Sequence, residues 1–175
     1  MGGPSPQHDP RDGGERKLVT ILLIDVDETR EAFADLDPED AGRLLPGHLA
    51  RVRAEVEAHG GVVEETVGGR TVALFGIPRT RDDDPERAVR TALAVRDALG
   101  GATPAPRVQA AVATGEALVR AGATGRRQRV LGDPVGAAAR LLEAAPDGVV
   151  LVSEATRRAT DRAITYGPGR LGQPG

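Results

Sequence analysis

The chain reads as an α+β fold, an antiparallel sheet with helices packed on it, and three observations predict this. Lys17 to Asp25 is an almost unbroken run of β-branched residues and leucine, short enough for a strand buried on both faces and ending in a carboxylate. Val62 to Val67 and Thr71 to Phe75 flank Gly68-Gly69-Arg70, a tight hairpin turn between two strands. Apolar residues recur at helical spacing behind two Asp-Pro starts, Asp37-Pro38 and Asp84-Pro85. The order strand, helix, two strands, helix, strand follows.

Composition bounds the function. The 175 residues, 39% of them hydrophobic, suffice for one core. A chain of this size buries roughly 70% of its unfolded surface. Only Phe33, Phe75 and Tyr166 are aromatic, so aliphatic residues and alanine must build that core. The same scarcity removes the stacking platforms of single-strand nucleic-acid binders. A net charge of −3 gives no electrostatic footprint for DNA or RNA. The absence of cysteine excludes disulfides and thiolate metal sites and suits a reducing compartment. No apolar run approaches a membrane span. A cytoplasmic domain that binds neither nucleic acid nor membrane is expected.

Residues 1–16, rich in glycine, proline and charge, are expected to form a flexible tail, residues 17–168 the folded domain and residues 169–175 a second tail. After the first strand, Asp27 to Thr29 read as a turn and Arg30 to Leu36 as a short helix carrying Phe33 inward. Asp37 then caps a helix from Pro38 to His59, with Ala41, Leu44, Leu45, Leu49, Val52 and Val56 on one face. Pro46-Gly47 should kink it or divide it in two. Gly60-Gly61 ends it. Asp82-Asp83-Asp84-Pro85 opens the second long helix, whose stripe is Ala88, Val89, Ala92, Leu93 and Leu99. Arg107 to Thr114 alternates as a strand, with Ala117 to Arg120 as its hairpin partner. Gly122 to Gln128 is a basic loop. A short strand at Arg129 to Leu131, a helix from Pro134 to Ala144 capped by Asp133, a strand from Val149 to Val152, a helix opened by Ser153 and a strand near Ile164 to Tyr166 complete the chain. This is a ferredoxin-like βαββαβ core under one layer of helices.

Seven segments carry a resemblance to a known family. They are Val19 to Asp25, Leu36 to Asp40, His59 to Glu64, Ala73 to Pro78, Glu86 to Arg90, Thr114 to Glu116 and Leu131 to Leu141. In this order, over residues 17 to about 168, the chain resembles the catalytic domain of class III adenylate/guanylate cyclases. That resemblance implies the class III nucleotide cyclase type of the fold and a site formed between two protomers. It also implies attack of a ribose 3′-hydroxyl on the α-phosphorus, which expels pyrophosphate. Two aspartates hold two divalent ions in such a site.

Carried over residue by residue, the resemblance puts the first metal ligand at Asp25. The second falls on Gly69, which has no ligating atom. On the partner protomer's side of the site, the base-reading lysine and its partner fall on Glu65 and Arg129. Glutamate at the first position fits guanine, whereas an ion pair of Glu65 with Arg129 is the plainer reading. Of the transition-state pair, Gly136 replaces the asparagine and Arg140 remains. No asparagine occurs anywhere in the chain, and its one lysine, Lys17, opens the first strand. Asp27 and Glu28 lie where the family wraps the triphosphate, and their charge should repel it. Mg or Mn is the expected ion if any metal is bound.

The expectation is a catalytically degenerate cyclase-like domain, a pseudoenzyme acting as a nucleotide-signalling regulatory or dimerisation module. It would pair as a homodimer, or as a heterodimer with another cyclase-type domain, with ATP or GTP as the nucleotide. The alternative is an active cyclase that forms the 3′,5′-cyclic nucleotide from ATP or GTP. Other candidates are weaker. His8 lies in the tail, His48 and His59 read as solvated helix residues, Arg126 and Arg127 as a solvated loop, and Asp82 to Asp84 as helix capping.

Overall fold

A computed structural model describes residues 14–28, 33, 36–121 and 128–167. Its order is β1 (Glu15–Asp27), α1 (Pro38–Ala58), β2 (Val62–Val67), β3 (Arg70–Phe75), α2 (Asp84–Gly100), β4 (Arg107–Ala121), β5 (Gln128–Leu131), α3 (Asp133–Ala144), β6 (Val150–Val152) and α4 (Glu154–Thr160). The sheet runs β2-β3-β1-β4-β5, antiparallel throughout, and β6 joins β4 in parallel. The antiparallel βαββαβ core expected from the sequence is therefore present. The expected N-terminal tail is corrected at its end, where Glu15 and Arg16 already pair with Val119 and Leu118 in β1; residues 1–13, the expected C-terminal tail, most of the segment from Arg30 to Leu36 and the basic loop at 122–127 lie outside the described residues.

Alternation along β1 explains how one strand serves two cores. Leu22, Ile24 and Val26 point to one face, where they meet Val52 and Val56 of α1 and Ala88, Ala92 and Val95 of α2. Val19, Ile21 and Leu23 point to the other, against Ala111 and Ala113 of β4 and Ala138 and Leu142 of α3. Each fully buried valine or leucine contributes about 1.5–3 kcal/mol relative to exposure. The expected single layer of helices is thus corrected, because α3 covers part of the opposite face.

Several local expectations hold for the physical reasons that suggested them. Asp37 accepts the Glu39 N–H at 2.9 Å, and Ser153 accepts that of Thr156 at 3.2 Å. The hairpin turn is Gly68-Gly69, with Gly68 at φ +57°. Gly60 leaves α1 at φ +76°. Gly61 admits the Phe75 ring so closely that a Cβ there would lie 2.6 Å from it. Arg87 of α2 secures this junction by donating to the His59 carbonyl at 2.6 Å, with its guanidinium 5.7 Å from the Phe75 ring centre.

Other expectations are corrected. α1 is not divided in two at Pro46 but continues through it, and the ring faces solvent near exposed Gly42 and Gly47, so water can serve the carbonyl that loses its partner. β4 is one 15-residue strand with no turn at Thr114-Gly115-Glu116. It pairs with β1 from Arg107↔Asp27 to Val119↔Glu15, and its hairpin partner is β5. Gly115 marks a close approach, since a Cβ there would lie 3.4 Å from Pro134. Asp133 is the first residue of α3, with Gly132 in the cap position and no side-chain cap bond.

The acidic start of α2 is also more than capping. Asp84 is 2% exposed, accepts the Arg81 N–H at 2.6 Å and pairs with Arg87. Residues 164–166 form no strand; Tyr166 meets the Thr160 hydroxyl at 2.5 Å instead. His59 bonds the Glu55 carbonyl through Nδ1 at 2.8 Å. His48 is 8% exposed and meets Glu28 at 2.7 Å, so it is a buried partner and not a solvated helix residue.

Candidate functional site

β1 delivers Asp25 past the part of its face that α3 covers, which leaves its side chain 29% exposed at the rim of the sheet. In the ladders Asp25 stands opposite Gln109 of β4 and Arg70 of β3. Directly opposed side chains in an antiparallel pair share one face and touch. Accordingly the Arg70 Nη2 lies 3.7 Å from the Asp25 Oδ2. Arg70 was not among the site residues expected from the sequence. The available signal was its place immediately after the hairpin tip that the sequence already set beside Asp25.

Gly69 closes the same end through its backbone. The Val26 N–H donates to the Gly69 carbonyl at 3.0 Å. A Cβ on Gly69 would fall far inside contact with the Val26 carbonyl oxygen. The tip is therefore packed as glycine, with no room for a larger residue unless the backbone shifts. An open cleft of about 420 Å³ lies beside it, lined by Asp25, Glu65, Val67, Gly69, Arg70 and Val72.

The sequence-derived candidates divide between this cleft and other surfaces. Glu65 lines the cleft but is two strands from Asp25 and two residues along the register. Sheet spacings then put their Cα atoms about 12 Å apart. Side chains stand roughly perpendicular to a sheet, so the two carboxylates rise in parallel instead of converging.

Arg129 is exposed on β5, opposite Arg120, outside the cleft lining. Next to it, Gln128 of β5 donates its N–H to the Glu64 carboxylate of β2 at 2.8 Å. Arg140 is exposed on α3, also outside the cleft lining, and its guanidinium lies over Gly136, 3.3 Å from where a Cβ would be. Glu28 is held by His48 on α1, and Asp27 stands opposite Arg107.

Chemically, the cleft offers the Asp25 carboxylate beside the Arg70 guanidinium, with Asp27 two residues further along the same strand face and outside the cleft lining. Among the described residues there is no group of three or more His, Cys, Asp or Glu that could hold a metal ion. A pair of divalent ions needs oxygen ligands from several directions. Asp25 alone, with Gly69 packed against a carbonyl, does not fit that requirement.

The architecture and the strand-end carboxylate define a nucleotide-cyclase-type α+β domain. The chain belongs to the adenylate and guanylate cyclase catalytic domain family, whose model matches residues 14–167. Among solved structures it is similar to the guanylyl cyclase Cya2, at 25% identity and TM-score 0.79, over 93% of this chain and 87% of that one. It is also similar to the adenylyl cyclase CyaB from P. aeruginosa, at 25% identity and TM-score 0.73, over 86% and 84% of the two chains.

An uncharacterized protein of Mycobacterium tuberculosis is 33% identical over 137 residues, 76% of this chain and 25% of that protein. The chain spans about a quarter of the length of the curated relatives it matches. No described helix is long and apolar enough to cross a membrane.

Proposed function

We propose that this cyclase-family domain is catalytically degenerate and serves as a regulatory or dimerisation module in cytoplasmic nucleotide signalling, paired with a second copy or with another cyclase-type domain. One observation carries the reading. The hairpin tip meets Asp25 with glycine, seated on the Val26 carbonyl, where two-cation chemistry needs a second carboxylate. Gly136 beside Arg140 removes a further donor. Loss of one such donor alone raises a barrier by about 2.7–4 kcal/mol. The folded unit is taken as residues 17–168. The test is product formation by the purified chain with Mg²⁺ or Mn²⁺ and ATP or GTP. The expected yield is none above the protein-free control, and sustained cyclic nucleotide formation overturns the reading.

Glutamate at position 65 favours one alternative, a cyclase whose two-protomer site reads guanine through Glu65 of one protomer, keeps Asp25 of the other as metal ligand and uses Arg140 as phosphate stabiliser. It requires that Asp25→Ala and Arg140→Ala each abolish turnover.

A further inference from the structure

We propose that Arg70 is a built-in counter-cation for Asp25, standing where a divalent ion would approach the carboxylate and closing the cleft to Mg²⁺ and Mn²⁺ by charge. The proposal deepens the reading above and rests on it for the identity of Asp25 as the remnant cation ligand. Three observations support it.

The ladder register sets Asp25 and Arg70 directly opposite each other, so their proximity is imposed by the backbone and not by the reach of a long side chain. The two-residue turn at Gly68-Gly69 and the bond from Val26 N–H to the Gly69 carbonyl fix that register. The guanidinium lies 3.7 Å from the carboxylate and within the cleft lining. Of the other lining residues, Val67, Gly69 and Val72 bring no side-chain donor or acceptor, and Glu65 stands two strands away.

The consequence is electrostatic. A divalent ion at Asp25 would share the carboxylate with a permanently charged group, because arginine cannot release its proton to make room. At about 5 Å in water, a single positive charge lowers the affinity of a divalent cation roughly tenfold. The missing ligand at Gly69 and the added charge at Arg70 are thus separate obstacles, and the second can be removed without touching the first. Arg70 is half exposed, so its replacement leaves the core intact.

The experiment titrates Mn²⁺ alone into the full chain and follows the free ion by its electron paramagnetic resonance signal. Wild type, Arg70→Ala, Arg70→Lys and Asp25→Asn/Arg70→Ala are compared, with circular dichroism as the check on folding. Arg70→Ala should bind Mn²⁺ about tenfold more tightly than wild type. Arg70→Lys, which keeps the charge, should stay close to wild type, and the double variant should lose the gain. Equal affinity in wild type and Arg70→Ala, at any level, overturns the proposal. So does a gain that Lys also produces, or one that survives without Asp25. Failure of the degenerate-domain reading would show separately, as cyclic nucleotide made by wild type.

Discussion

Gly61 and Gly69 are both approached closely, and their surroundings differ in kind. At Gly61 the neighbour is the Phe75 ring, which fills the space a side chain would take and joins α1 to the sheet. At Gly69 the neighbour is the backbone carbonyl of Val26, next to the Asp25 carboxylate. The first glycine serves packing. The second stands at a position where the family's chemistry needs a ligand, and it gives that ligand up. On the proposed reading, the fold keeps what the sheet requires and lacks what two cations require.

Substitutions sharpen this contrast. The largest effect should come from the packing side: Phe75→Ala removes a fully buried ring and should cost about 3–5 kcal/mol in urea unfolding. Gly69→Asp, the change that restores a carboxylate at the tip, should cost about 1–3 kcal/mol because its Cβ must displace the Val26 carbonyl. It should also leave product formation undetectable, since the backbone that holds the new side chain has moved. A stable Gly69→Asp variant with cyclase turnover would erase the distinction between the two glycines.

The smallest effect is expected at His48→Ala, about 1–3 kcal/mol or less, from stranding the Glu28 carboxylate against α1. Thermal melts of the single and double variants at these two positions measure their coupling. A coupling of zero would mean that the pair does not fasten the end of β1 to α1.

How much of this was legible in the sequence depends on what each element needs from the rest of the chain. β1, the Gly68-Gly69 hairpin and the caps at Asp37 and Ser153 follow from local patterns, because their stabilising groups lie within a few residues. Thr114-Gly115-Glu116 reads locally as a turn, yet a long β1 offers it pairing partners along its whole length. His48 carries no local sign that Glu28, 20 residues earlier, will meet it.

The candidate site divides in the same way. Asp25 and Gly69 are visible because the resemblance marks their positions, whereas the Asp25–Arg70 contact depends on a cross-strand register that a single strand does not encode. Glu65, Arg129 and Arg140 are placed by the same resemblance, but the described cleft collects only the first of the three.

The most direct measurement is cyclic nucleotide formation by the full chain at saturating Mn²⁺ with ATP and with GTP, run beside an active cyclase domain. The account predicts no product from this chain while the active domain turns over. Sustained product that disappears in Asp25→Ala would contradict it.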